Sequence, residues 1–181
     1  MPVMPHELTT ERLTLRQFRD DDLDAFAAIQ ADPVVARHIG DGSVSDRATS
    51  WRLMATFLGH WQLRGHGQYA VEERATGAFV GRVGLWLPEG WPGLEIGWLI
   101  ARDRWGQGYA TEAARAVAAE AFRTLPIDRL ISLIRPVNTA SVRVAVKLGA
   151  VHEETIDLDG HDAAVYALRP SAASRDAASS Q

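Results

Sequence analysis

The run LEIGWLI, residues 94–100, passes through RDRWGQGYATEA, residues 102–113, into a long alanine-rich segment. From Ala110 the apolar residues recur at Ala113, Ala114, Val117, Ala118, Ala121, Phe122 and Leu125, the i, i+3, i+4 spacing of an amphipathic helix that Pro126 ends. A strand entering a helix through such a turn leaves the first helical N–H groups without partners, and Gly106 and Gly108 carry no side chains to shield them. Amides from Gln107 through Gly108, Tyr109 and Ala110 to Thr111 could therefore hold an anion such as phosphate, favoured by the helix dipole and needing no lysine. A tight structural turn is the alternative reading of the same glycines. Two nucleotide motifs are absent: no Lys follows these glycines as in a P-loop, and Thr111 stands where G-x-G-x-x-G needs its last glycine.

Elsewhere strand and helix signals alternate. ERLTLRQF alternates around Leu13 and Leu15 as a first strand, and DDLDAFAAIQADP then spaces Leu23, Phe26, Ala27 and Gln30 as a helix that runs to Pro33. SDRATSWRLMATFLGHWQLRGHG puts Trp51, Met54, Ala55, Leu58 and Trp61 on one helical stripe, with Ser45 as cap and Gly65 and Gly67 as the stop. YAVEERATGAFVGRVGLWL reads as two strands joined at ATG, and LEIGWLI as a third, which suggests an antiparallel meander. RLISLIR follows as a short strand, NTASVRVAVKLG as a helix from Asn138 to Gly149, and VHEETIDLDGHDAAVYALR as a hairpin turning at Asp159-Gly160. The order β-α-α-β-β-β-α-β-α-β-β predicts an α/β domain, a mixed sheet flanked by helices, over residues 1–169. PSAASRDAASSQ, residues 170–181, is poor in large apolar residues and reads as a disordered tail.

A chain of 181 residues, 46% hydrophobic and 23% charged, suits one compact domain. Its net charge of -4 supplies no basic field for nucleic acid or an anionic membrane. The absence of cysteine removes disulfides, thiolate metal sites and a cysteine nucleophile, and fits a cytoplasmic protein. MPVMPHELTTERL lacks an apolar signal core, and no apolar run approaches the roughly 18 residues that span a bilayer, so a soluble intracellular protein is expected. The six His show no H-E-x-x-H or similar spacing, and no metal site is expected.

TERLTLR, LEIGWLI running into WGQGYATEA, and NTASVRVAVKLGA occur in that order, and with them the chain from Leu8 to about Arg169 resembles the GNAT superfamily of N-acetyltransferases, in its ribosomal-protein N-terminal acetyltransferase (RimJ/RimL-like) branch. The family's pyrophosphate motif, Q/R-x-x-G-x-G/A, falls on Trp105 to Ala110; Gly108 and Ala110 match, and Trp105 replaces the usual Gln or Arg. The resemblance implies acetyl-CoA as donor, its pyrophosphate on the loop amides and its pantetheine in a cleft where the fourth and fifth strands of this count splay apart. It also implies that amides around Trp98, Leu99 and Ile100 bind the acyl carbonyl and that a dimer forms. Gly97 would permit a bulge opening the cleft, or else close packing against a neighbour.

Amide formation from a thioester needs an amine held in line, a path for its proton, and support for the oxyanion and departing thiolate. Amines are mostly protonated at neutral pH, so a carboxylate is useful as base. Glu95, alone in an apolar strand bordering the expected cleft, is the candidate; a salt bridge or solvent-facing position is the plain alternative. His152, Glu153 and Glu154 are more simply a polar strand edge. Asn138 and Ser141 suit a helix cap, and the resemblance adds that they face the pantetheine arm, where Ser141 could hydrogen-bond the leaving thiol. The resemblance also implies a Tyr acid where this chain has Ala145, leaving Ser141, water or Tyr166 for that role. Of the Trp residues, Trp51 and Trp61 read as core and Trp91 as pocket or loop. The acceptor would be a protein N-terminus or a small amine; the rival reading is a non-catalytic acyl-CoA-binding or regulatory protein.

Overall fold

A computed structural model describes residues 2–170; apart from Pro170, the tail expected to be disordered lies outside the described residues. Its elements are β1 (Glu7–Thr9), β2 (Leu13–Arg16), α1 (Leu23–Gln30), α2 (Pro33–Ala36), α3 (Arg47–Arg64), β3 (Gln68–Glu73), β4 (Phe79–Trp86), β5 (Glu95–Ile100), α4 (Tyr109–Thr124), β6 (Leu130–Ile134), α5 (Thr139–Leu148), β7 (Val151–Leu158) and β8 (His161–Leu168). They build an eight-stranded sheet in the order β1-β2-β3-β4-β5-β6-β8-β7, antiparallel except between β5 and β6. The exception follows from connectivity, since the chain between those strands crosses over through α4 and can return only in parallel.

Each face of the sheet carries a core. Period-2 alternation sends Tyr69, Val71, Val83, Leu85 and Ile96 to one face, where Ala113, Ala114, Val117 and Ala121 of α4 pack without exposure. The alanines let α4 lie close against the strands, and each fully buried Val or Leu adds about 1.5–3 kcal/mol. Ala70 and Leu99 point the other way, into a second core with Phe18, Phe26, Met54 and Phe57 from the α1 and α3 layer. β2 is tied to α1 by Arg16, whose buried guanidinium donates to both oxygens of Asp22 at 2.8 and 2.7 Å and to Glu72 at 3.1 Å.

The structure corrects four expectations. Glu7–Thr9 adds an edge strand before the expected first one. The first helix does stop before Pro33, at Gln30, but Pro33 then opens a further short helix, α2, capped by Asp32, that the sequence reading lacked. On α3 the cap is Asp46, accepting from the Thr49 amide at 2.7 Å, one residue after Ser45. The buried stripe of that helix is Ser50, Met54, Phe57, His60 and Trp61, turned by roughly a fifth of a turn from the expected one. Trp61 is core, but Trp51 is 52% exposed and Ala55 and Leu58 also face outward. The reason is that Ser50 and His60 meet main-chain partners: Ser50 donates to Asp46 O, and His60 accepts from the Leu87 amide at 2.9 Å while its other nitrogen meets His66 O at 2.8 Å. Polar residues so satisfied can occupy a buried face.

The sheet is nearly divided. β4 and β5 are registered without interruption from Gly81–Ile100 to Trp86–Glu95, but β5 and β6 share one registered pair, Glu95 with Ile131. Ile131 donates its amide to Leu94 O at 2.9 Å, and the Ser132 hydroxyl donates to Ile96 O at 2.8 Å. Beyond that point the two strands separate. With β1 counted, these are the fourth and fifth strands of the sequence reading.

Candidate active site

The turn before α4 is bare. Gly106 and Gly108 adopt φ of 77° and 83°, left-handed values that disfavour other residues, and Gly108 is the N-cap. A Cβ on Gly106 would meet nothing within 4 Å, so the turn's main chain is open to a ligand. Sequence reading missed a cation here. Arg12 lies over the Tyr109 ring, 4.7 Å from its centroid, donates to Gln107 O at 2.9 Å and pairs with Glu112 at 2.6 Å. The only signal for it was its place in TERLTLR. Trp105, at the departure from the family motif, donates its indole N–H to Ile100 O at 2.8 Å and so fastens the turn to the end of β5.

The gap between β5 and β6 lies next to this turn. Leu94 O and Ile96 O face β6, Ile100 O faces the Trp105 indole, and Ala101 N donates to Val80 O on the β4 side. Alternation along the strand therefore turns the main-chain groups of Trp98 and Ile100 toward the side that β6 has left, and those of Leu99 toward Arg82 of β4. Across the gap, Asn138 caps α5 by accepting from the Ser141 amide at 3.2 Å, and the Ser141 hydroxyl accepts from the Trp98 indole at 3.3 Å. Ala145 is fully buried in the α4-side core. Tyr166 packs against that same core and is not part of the cavity wall described next.

A cavity of about 470 Å³ runs from Trp98, Asn138 and Ser141 through the gap to the α3 side of the sheet. Glu95, Arg82 and Gln68 form its floor there, with Trp86 and Trp91 beside them. The Trp91 indole donates to Glu95 Oε2 at 2.8 Å, and Arg82 Nη1 donates to Gln68 Oε1 at 2.9 Å. Burial raises the Glu95 pKa above the ordinary carboxylate value, opposed by the Trp91 bond and the Arg82 charge. The same enclosure brings the Arg82 guanidinium down to about 10, so it stays charged at neutral pH. Gly97 makes no bulge: its register with Gly84 is regular, and the cleft opens because β6 diverges. Its missing side chain has another effect. A Cβ there would lie 3.7 Å from Glu95 Oε1, 3.8 Å from Gln68 Nε2 and 3.9 Å from Arg82 Nη1. Three polar groups on three strands thus surround one bare glycine. Glu153, by contrast, lies on the edge strand β7 and pairs with Arg129 and Arg169, which flank β6 and β8, at 2.7 and 2.6 Å. Among the described residues no cluster of His, Asp and Glu could hold a metal ion, and no helix is long and apolar enough to cross a membrane.

A bare glycine turn before a helix, a parallel pair that splits, and a cavity through the split define a GNAT-type acetyltransferase. The chain belongs to that family: residues 12–151 match the acetyltransferase (GNAT) domain. It is 33% identical to the protein YkkB of Bacillus subtilis (strain 168) over 169 residues, covering 88% of this chain and 94% of that one. It is 29% identical over 143 residues to the N-acetyltransferase YoaA of the same organism, covering 78% and 81%. A crystal structure of an acetyltransferase from Agrobacterium tumefaciens str. C58 superposes with a TM-score of 0.81 at 33% identity, covering 91% and 94% of the two chains. The protein is an acetyl-CoA-dependent acetyltransferase.

Proposed function

We propose that this enzyme acetylates a primary amine, held in the cavity over Glu95, by direct attack on acetyl-CoA in a ternary complex. The observation that carries the reading is the continuity of the cavity through the β5–β6 gap, from Ser141 and Trp98 to Glu95. Pyrophosphate rests on the amides of Gln107 to Thr111, where the open turn suits an anion. The Arg12 guanidinium, its charge balanced by Glu112, stands beside it. The carbonyl oxygen lies against the main chain of Trp98 and Ile100, whose unused N–H groups support the oxyanion. Glu95, its basicity raised by burial, takes the ammonium proton. The amine nitrogen then bonds to the acyl carbon and the C–S bond breaks, and the second proton lost by that nitrogen reaches the thiolate through the Ser141 hydroxyl or through water.

The order of motifs is similar to that of the RimJ/RimL-like branch, which keeps a protein N-terminus among the acceptors beside small amines. Titration calorimetry with acetyl-CoA, run beside ATP and NAD, is the first test, followed by thiol release with an amine panel. Selective micromolar binding and amine-dependent release are expected. Binding without release under any amine favours a non-catalytic acyl-CoA-binding protein, and no binding refutes the assignment of the turn.

A further inference from the structure

Glu95, Gln68 and Arg82 come from β5, β3 and β4 and converge on the unfilled space over Gly97. Two of them, a carboxyl and a guanidinium, are of the kinds that pair, yet no nitrogen of Arg82 lies within 4 Å of a Glu95 oxygen, whereas Arg12, Arg16 and Arg129 meet their carboxylates at 2.6–2.7 Å. Arg82 makes one side-chain hydrogen bond, to Gln68, and its Nε–H is buried with no partner. A guanidinium so placed is under-satisfied, and a carboxylate is the planar acceptor that fits its fork. Its position is also constrained: the Phe57 ring lies 5.3 Å beneath it and Gln68 holds one end. The space thus has a carboxylate on one side and an unpaired guanidinium on the other, with no side chain between.

We propose that the acceptor is a small zwitterion, an α-amino acid with a free carboxylate, whose amine meets Glu95 and whose carboxylate meets Arg82. This rests on the reading of Glu95 as the amine-facing base and narrows its substrate class. In an α-amino acid the two charged groups are one carbon apart, which matches charges flanking a single glycine. A polyamine or aminoglycoside would bring further cations against Arg82 and leave it unpaired. A protein N-terminus would offer it only an amide carbonyl. Arg82 is therefore a specificity-determining residue, and Gln68 is the positioning residue that fixes its orientation.

The test compares kcat/KM, by thiol release, for free L-amino acids, their carboxamides, N-terminal peptides and spermidine. At least one free amino acid should exceed its own carboxamide by 100-fold or more. Arg82→Gln should bring that ratio to within a few-fold of one while acetyl-CoA affinity by calorimetry stays within two-fold, and Arg82→Lys should restore part of the ratio. Equal turnover of acid and amide by the unaltered enzyme, or a preference for peptides or spermidine, overturns the zwitterion and leaves the acetyltransferase reading standing. The ratio in the unaltered enzyme decides the matter even if Arg82→Gln does not fold. Absence of acetyl-CoA binding overturns both.

Discussion

Gly97→Ala separates the acceptor pocket from the fold more cleanly than removal of any charged group. The added methyl would stand 3.7–3.9 Å from Glu95 Oε1, Gln68 Nε2 and Arg82 Nη1, ordinary contact distances that force nothing to move. Gly97 does not have the positive φ of the turn glycines, so its backbone suits alanine. Glycine inside a strand costs roughly 0.5–1 kcal/mol relative to alanine. Poorer solvation of the Glu95 and Arg82 side chains offsets part of that gain, and Tm should hold or rise by about 1–3 °C. Catalysis should respond in the opposite sense. An amine must come within about 2.6–3.2 Å of its base, and the methyl occupies the approach to Glu95. A misplacement of about 1 Å costs about 10²-fold, so kcat/KM for the acceptor should fall by about that factor while acetyl-CoA affinity is kept. Steady-state kinetics, calorimetry and a melt on one preparation read all three quantities. An unchanged kcat/KM would refute the placement of the amine over Gly97, and a lowered Tm would refute the view that the backbone there has no need of glycine.

Glu95→Gln should lower kcat and remove the acid limb of the pH-rate profile, because the base must lose its proton before it can act. The same change should stabilise the protein at neutral pH: a carboxyl whose folded pKa is raised contributes stability below its unfolded value and loses it as pH rises, and glutamine escapes that loss. A melt at pH 7 checks the sign. Gly108→Trp should weaken acetyl-CoA binding by more than 100-fold in calorimetry and cost about 1–2 kcal/mol through its φ of 83°; retained affinity would move the pyrophosphate elsewhere. His66, buried beside His60, has its pKa lowered to about 4, chiefly by desolvation. Its stability contribution is complete above the unfolded value near 6.5 and declines as pH falls toward 4. Denaturant unfolding should therefore lose about 1–2 kcal/mol between pH 7 and pH 5, a loss that His66→Phe should reduce.

What the sequence made legible was whatever one strand or helix can carry by itself. Ala113, Ala114, Val117 and Ala121 mark their helix face by spacing alone, and Asp159-Gly160 marks its hairpin turn by backbone chemistry alone. The split in the sheet could be expected only from family likeness, because nothing within LISLI shows that its ladder to β5 stops after Ile131. Arg82 escaped notice for a related reason. In FVGRVGLW it reads as the outward member of an alternating strand, and its meaning depends on a register that brings Gln68 and Glu95 to the same glycine. Arg12 likewise meets Glu112 only through the packing of β2 against α4. Helix α3 misled because Ser50 and His60 look like surface residues until their main-chain partners are known.

The single rung between β5 and β6 has a consequence for the life of the protein in the cell. Residues 7–100 make five strands and residues 130–168 make three, so the two parts emerge from synthesis in turn and each arrives with a strand edge whose hydrogen-bonding groups are not taken up by the other. Open edges of that kind invite unwanted pairing with other chains. A coenzyme bound in the gap, as proposed above, would cover both edges and stabilise by mass action according to how far its concentration exceeds its dissociation constant. With the coenzyme placed as proposed, scarce acetyl-CoA would leave that stabilisation out and raise the share of opened chain exposed to degradation. Coenzyme supply would then set how much enzyme survives as well as how fast it turns over.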